Sequence, residues 1–534
     1  MTLTGWLLFA LILQVIHFLG TWKLYVKAGR KAWEAAVPVY NAVVLMKIIN
    51  RPWWWVILLF VPIVNLIMFP VVWVETIRSF GRNNATDTAL VLITLGLYIY
   101  YINYTQDVTY IEDRDLKPRT GTGEWVSSIL FAVVAATIVH TYFMQPYTIP
   151  TSSLEKTLLV GDFLFVSKYH YGARAPITPV SLPMVHDTVP LVKSRSYFKG
   201  PDYPYFRFPG FEKIDRNEIV VFSWPVDTMV DILRPQKGTY IKPLDKKTNY
   251  VKRCVGLPGD SLEVRDGYVF INGKQNELPD RAKLQFSYTV VSKTPLVARN
   301  TRDVPSAFVA ERYDISDVYL AGQDQTTKNY VHVIQLTEET VAKLKNNPNT
   351  VSIERRVQDA SQRDAGTFPQ HPEYAWNTDN FGPVYIPEAG KTVAITPKTI
   401  PLYKRIIEVY EGRELGINNK ISQSGTQVLL NGEPITEYTF KMDYYWMMGD
   451  NRSYSQDARA WGYVPFNHVV GKPVFVWFSW DTNGQGIANK IRWERLFTTV
   501  HGEGEPVSYF KYFVILLAGW FVFNFFRKRK KKKA

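Results

Sequence analysis

The sequence predicts a two-part fold: a multi-span α-helical membrane region and a mostly antiparallel β domain on the exterior side, which carries an inserted α+β subdomain. Three observations predict it. Five apolar stretches lie at residues 3–19, 52–74, 88–104, 127–144 and 510–526. Between the last two, short runs rich in Val, Phe and Tyr alternate with Asp-Gly, Asn-Gly and Pro-Gly turns. A long polar stretch at about 285–425 separates two similar hairpin-like pieces.

Each apolar stretch has the length of a helix that crosses a hydrocarbon core of roughly 30 Å. The first begins almost at the N-terminus with no basic leader and no small-x-small cleavage site, so it reads as an anchor and not as a removable signal. The second is rich in Trp and interrupted by Pro62, Asn65 and Pro70, which leaves open whether it spans or is re-entrant. The loop between the first two carries Lys23, Lys27, Arg30, Lys31, Lys47 and Arg51 against Glu34 alone, and the tail runs Arg527-Lys-Arg-Lys-Lys-Lys-Lys533. Both mark the cytoplasmic side. The expected organisation is a multi-span module at 1–125, an anchor at 126–144, an exterior domain at 145–508 with its insertion at about 285–425, a C-terminal transmembrane helix at 509–526, and a basic cytoplasmic tail at 527–534. A weak echo joins Val37-Pro-Val-Tyr-Asn41 to Val61-Pro-Ile-Val-Asn65.

Strands are expected at Phe163–Val166, Ile219–Phe222, Ser261–Val264, Tyr268–Ile271 and Pro473–Phe478. The two similar hairpins are Asp266-Gly-Tyr-Val-Phe-Ile-Asn-Gly273 and Thr426-Gln-Val-Leu-Leu-Asn-Gly432. The polar stretch between them holds one helix-like piece near Glu338–Asn346.

Composition narrows the function. Hydrophobic residues are 46% and charged ones 21%, which excludes a disordered chain. The net charge is +14, but seven of the positive charges lie in the tail, leaving about +7 for the body and no nucleic-acid-binding surface. Cys254 is the single cysteine, so no intramolecular disulfide and no Cys-based zinc site is possible. The eight histidines show no ligand spacing; neither metal nor cofactor is expected.

Three boxes carry chemistry. Just after the fourth stretch comes Tyr147-Thr-Ile-Pro-Thr-Ser-Ser-Leu-Glu-Lys-Thr-Leu-Leu-Val-Gly-Asp162. Then comes Tyr250-Val-Lys-Arg-Cys-Val-Gly-Leu-Pro-Gly-Asp260, and later Met448-Gly-Asp-Asn-Arg-Ser-Tyr-Ser-Gln-Asp-Ala-Arg459. In that order, beside a membrane stretch, they resemble bacterial type I signal peptidases (leader peptidases) of the Ser/Lys kind, over roughly 126–284 and 435–485. The resemblance implies a signal-peptidase-like β fold. Thr151, Leu154 and Lys156 stand where the family has Ser, Met and Pro, and Lys156 removes the rigid turn that proline gives.

A serine hydroxyl is a poor nucleophile until a base takes its proton. Lysine can be that base when burial depresses its pKa, and Lys252 sits in an apolar, strand-like context. Ser153 is therefore expected as nucleophile and Lys252 as general base. The resemblance implies that the Ser153 N–H and the Thr151 hydroxyl form the oxyanion hole and that Ser455 aims the lysine. It implies further that Asp457 and Arg459 pair, that Asp450, Asn451 and Arg452 shape their loop, and that Ile149, Tyr250 and Val251 line a cleft for an extended substrate. The implied activity is removal of N-terminal signal peptides from exported preproteins by cleavage after Ala-x-Ala. The implied partners are preproteins, the lipid bilayer and a nearby secretion translocon, with no nucleic acid, and the location is the inner membrane with the catalytic domain on the periplasmic side. The rival readings are a catalytically inactive membrane scaffold and a self-cleaving repressor-type Ser/Lys protease.

Overall fold

The computed structural model describes residues 3–118, 120–200, 202–228, 240–297, 308–482, 484 and 486–533. Part of the polar stretch, 298–307, and the last residue of the tail lie outside the described residues, as do the tail side chains at 528 and 530–533. The chain forms two compact units, Met1–Phe143 with Arg174–Arg207, and Met144–Ala173 with Phe208–Ala534.

The first unit is built on seven helices: α1 (Leu3–Lys27), α2 (Tyr40–Ile48), α3 (Trp55–Phe60), α4 (Asn65–Ser79), α5 (Ala85–Ile93), α6 (Tyr98–Thr105) and α7 (Gly121–Ile138). α1 stops where Gly29 turns left-handed (φ 73°) and the Arg30 N–H closes on the Tyr25 carbonyl at 2.9 Å. Thr120 caps α7, its hydroxyl accepting from the Gly123 N–H at 3.1 Å.

The second apolar stretch is not one helix. It breaks between α3 and α4 at Val61-Pro62-Ile63, where proline removes a donor and Ile63 turns left-handed (φ 70°). Its ends then meet: Arg51, just before the stretch, donates to Glu75, one residue past it, at 2.8 Å. The third stretch likewise bends by 119° between α5 and α6. Leu95 (φ 50°) and Gly96 (φ 87°) make that bend, and a Cβ on Gly96 would lie 2.8 Å from the Trp73 ring. Arg82 and the Gln106 side chain are hydrogen-bonded, so this stretch also returns to its starting level. The sequence echo has a backbone meaning. In each copy the third residue, Val39 (φ 66°) or Ile63, is left-handed, and a helix begins within two residues. Among the described residues three helices are long and apolar enough to cross a membrane, Thr4–Lys27, Gly121–Phe143 and Phe510–Arg527, or four if the bent pair is one span.

The second unit is mostly antiparallel β. Its main sheet has eight strands: β1 (Met144–Thr148), β2 (Asp162–Ser167), β3 (Ile219–Ser223), β4 (Asn249–Gly256), β5 (Tyr444–Met448), β6 (Val464–Pro465), β7 (Val469–Ser479) and β8 (Thr498–Thr499). Their order is β1-β2-β7-β3-β4-β5-β6, with β8 against β7. Every strand expected above forms. β3 and β4 pair with Val220 opposite Lys252, and β5 meets β4 only from Arg253 onward. β3 and β5 are buried along their whole length, which is why they read as unbroken apolar runs and not as alternations. The core around Trp446 gathers Val255, Leu262, Phe381, Tyr403 and Tyr463.

The two similar pieces are both three-stranded meanders, at 261–275 and 421–435. Their Asn-Gly turns have both residues left-handed, Asn272 and Gly273 (φ 52° and 82°) and Asn431 and Gly432 (φ 54° and 92°), as two-residue hairpins require. Between them lies a separate four-stranded sheet, 350–355, 286–292, 330–336 and 318–323 in spatial order, with a helix at Glu338–Lys345. The final helix, α8 (Phe510–Lys533), leaves the β unit where Phe497 stacks on Phe513 at 4.7 Å.

Candidate active site

Two segments 99 residues apart meet at the centre of the second unit. Ser153 lies in a single 3-10 turn, Ser152–Leu154, entered from the extended Thr151. Lys252 points from the middle of β4, and its Nζ lies 2.6 Å from Ser153 Oγ. Both are nearly out of water, at 6% and 4% exposure. Burial lowers the Lys252 pKa from 10.5 to about 8, against the opposing pull of the Asp457 and Asp450 carboxylates. An amine must be uncharged to accept a proton, and with this pKa about a tenth of Lys252 is neutral at pH 7, against well under a thousandth at the ordinary 10.5.

The loop 449–452 clasps the serine turn. The Asn451 N–H donates to the Ser153 carbonyl at 3.1 Å, and its side-chain amide to the Ser152 carbonyl at 3.2 Å. Asp450, wholly buried, receives a two-pronged ion pair from Arg253 (2.8 and 2.6 Å) and a hydrogen bond from the Thr157 hydroxyl (2.7 Å). Burial works against its charge, but Arg253 and Thr157 hold the carboxyl below its ordinary range. One carboxylate thereby fastens the residue after Lys252 to the segment after Ser153. Asp457 and Arg459 form a second fork (2.9 and 2.8 Å), and Asp457 also accepts from the Gly449 N–H at 3.1 Å.

Gly449 has no room for a side chain: a Cβ there would sit 2.2 Å from Ser455 Oγ and 2.5 Å from the Ser153 carbonyl oxygen. Gly449→Ala is expected to displace the serine turn and lower any activity of the site by at least about tenfold, as misplacements near 1 Å do. An unchanged turnover of this variant would show that the turn does not depend on the loop.

The other expected residues are placed as follows. Ser455 Oγ is buried beside the Asp457 carboxylate, whose ionised form it favours, but it makes no hydrogen bond of good geometry and does not reach Lys252. Thr151 is exposed at the mouth of the turn. Tyr250 and Val251 are half-buried on β4, whereas Ile149 packs inward at 3% exposure among Leu154, Leu164 and Val221. Both Ile149 main-chain groups are taken, by Asp162 and Gly161. Among the described residues no strand pairs with β4 on its β5 side over Asn249–Lys252, so that edge is open.

Several contacts were not read from the sequence. Trp224 stacks face to face on Tyr250 (5.1 Å, 3°), with Trp461 edge-on to both, so three aromatics wall the space beside Lys252. Lys156 has φ 71°, a left-handed conformation closed to proline, and its ammonium pairs with Asp314 at 2.8 Å. Next to it Glu155 accepts from the Ser316 hydroxyl at 3.1 Å. The segment around 314–316 therefore braces the serine loop where the family's proline is missing. No signal within either segment could have shown that contact. Among the described residues no cluster of His, Cys, Asp and Glu is built to hold a metal ion.

Comparison with known proteins matches two parts of the chain. Residues 33–113 match a family of unknown function (DUF5684). Residues 122–326 and 387–480, more than half of the chain, match signal peptidase, peptidase S26. The chain is 32% identical over 159 residues to signal peptidase I of Rickettsia rickettsii (strain Sheila Smith), covering 30% of this chain and 46% of the relative. It is 27% identical over 216 residues to signal peptidase I of Rickettsia conorii (39% and 67% covered). It is 23% identical over 368 residues to that of Buchnera aphidicola (68% and 77% covered). The chain spans about half the length of the first of these and of the Rickettsia massiliae and Rickettsia felis relatives.

Proposed function

The chain belongs to the signal peptidase family, peptidase S26, and from that premise we propose that it is a membrane-bound serine endopeptidase that removes N-terminal signal peptides from exported preproteins. The observation that carries this reading is the buried contact of 2.6 Å between Lys252 Nζ and Ser153 Oγ. In this mechanism the neutral Lys252 amine takes the Ser153 proton as Oγ attacks the scissile carbonyl. The resulting ammonium gives that proton to the leaving amine. A water, deprotonated in turn by Lys252, releases the acyl group. The Ser153 N–H and the Thr151 hydroxyl stabilise the oxyanion, where each donor contributes about 3–4 kcal/mol in the transition state. The Asp450–Arg253 and Asp457–Arg459 pairs keep the serine turn and Lys252 in register. The buried Ser455 hydroxyl, which makes no hydrogen bond of good geometry among the described residues, is the group assigned to aim the amine.

Substrate would lie as an extended strand along the open edge of β4 at Tyr250–Lys252, with main-chain hydrogen bonds giving affinity and small pockets selecting Ala-x-Ala. Three crossings, by α1, α7 and α8, with both central stretches re-entrant, leave an odd count. The N-terminus and residues 145–508 then face the periplasm, and the tail faces the cytoplasm. Nine residue steps lead from Met144 to Ser153, a reach of about 30 Å at most, so the site stays near the bilayer in which signal helices lie. The four-stranded sheet at 286–355 is read as an inserted subdomain.

The test is cleavage of a model preprotein carrying Ala-x-Ala, with the product N-terminus sequenced and the rate followed against pH. With Lys252 titrating at about 8, its neutral fraction and kcat/KM should rise about tenfold from pH 7 to 9. EDTA should leave the rate unchanged. A flat profile over that range removes Lys252 as base, and the absence of any cleavage favours the inactive scaffold.

A further inference from the structure

The first unit contains a charge imbalance that neither its packing nor peptidase chemistry uses. Glu75, 6% exposed near the end of α4, faces three guanidiniums. Arg51 reaches Oε2 from the turn before α3 (2.8 Å), Arg114 reaches the same oxygen from the segment after α6 (2.5 Å), and Arg78 lies 3.6 Å from Oε1. One carboxylate against three arginines leaves a surplus of two positive charges. The Arg114 side chain is only 7% exposed, and its buried Nε has no acceptor. Glu112, Asp113 and Asp115, which flank Arg114 in sequence, are exposed, and among the described residues none forms an ion pair with the three guanidiniums. Arg114 is buried while Arg51 and Arg78 keep one side toward solvent, and like charges gathered in this way are unfavourable unless an anion completes the set.

The location says which anion. Both apolar hairpins return to this level, where Arg82 also meets Gln106, and Lys27, at the end of α1, meets Asp107. Arg51 lies 5.0 Å from the centre of the Trp55 ring. Trp53, Trp54, Ile57 and Phe60, immediately beyond it, are exposed, as apolar groups facing acyl chains would be. A cationic cluster at the rim of an apolar helical hairpin sits at the depth of lipid headgroups. We propose that Arg51, Arg78 and Arg114 bind the phosphate of an anionic lipid headgroup, with Glu75 gathering the guanidiniums to receive it. The site requires no chemistry at Ser153, so it stands or falls separately from the peptidase reading.

The experiment uses the full chain in an uncharged detergent, titrated with phosphatidylglycerol, phosphatidylcholine or inorganic phosphate, with thermal midpoint and Trp fluorescence as readouts. Phosphatidylglycerol should raise the midpoint saturably, and the other two should not. Arg78→Gln, which removes the outermost guanidinium, should raise the half-saturating lipid fraction about fivefold, the loss expected for one basic residue at an anionic surface. Arg78→Lys should recover part of it. Arg30→Gln, which removes a cation paired to Glu34 instead, should leave the titration unchanged. An equal response to phosphatidylcholine, a wild-type titration by Arg78→Gln, the same loss in Arg30→Gln, or saturation by free phosphate alone would each overturn the proposal.

Discussion

Replacing Lys252 by methionine is expected to reduce kcat/KM for a preprotein bearing Ala-x-Ala by at least about 10³-fold, the usual loss when a member of a nucleophile–base unit is removed. The same substitution is expected to stabilise the fold. Lys252 is protonated up to its ordinary 10.5 in the unfolded chain but only up to about 8 in the folded one. Below pH 8 it is charged in both states, and the buried ammonium destabilises the fold in full; that penalty fades as pH rises from about 8 to 10.5. Methionine has similar length and no charge, so at pH 7 the variant should gain on the order of 1–3 kcal/mol. Urea or thermal denaturation beside the cleavage assay reads both effects. Ser153→Ala should match its activity loss without the gain in stability. A variant at Lys252 that still processes preprotein would exclude the base role, and tolerance of substitution at Ser153, Lys252 and Ser455 alike would leave a scaffold.

The second large effect is structural. Asp450→Ala would leave the Arg253 guanidinium, 3% exposed, buried without its carboxylate and would release the Thr157 hydroxyl. Breaking a buried pair from one side destabilises by about 3–5 kcal/mol. In a unit of this size that is a fall in Tm of roughly 10 °C. Activity should fall with it, because the pair ties β4 to the serine loop. Glu505→Ala, which breaks an ion pair with Lys283 whose carboxylate is 79% exposed, is the contrast: its effect should stay below about 1 kcal/mol. Equal small effects for both would show that the Asp450 pair is not the fastening described here.

Local pattern carried much of the fold. The runs at 163–166, 219–222, 261–264, 268–271 and 473–478 became strands because Val, Phe and Tyr suit a pleated, half-buried surface and Gly-containing pairs permit tight turns. The helix near 338–346 and the long helices at both ends were legible for the same reason: length and periodicity are written in consecutive residues. Ser153 and Lys252 could be named because the boxes around them are distinctive, and the strand context of Lys252 pointed toward burial.

What depends on partners far along the chain was decided only by tertiary packing. The turn of 52–74 back on itself rests on Arg51 finding Glu75, and Pro62 alone leaves a kinked span equally possible. The resemblance implies that Ile149 lines the cleft; its side chain packs against Leu164 and Val221 from two other strands, which its apolar character alone could not show. The depth of Lys252, and hence its pKa near 8, comes from elements closing around β4. Asp450 meets Arg253 across 197 residues, and Lys156 meets Asp314 across 158. A short segment encodes its own backbone preference and which of its faces is apolar. It does not encode which buried charge will lie opposite, because that pairing exists only once both segments have left water.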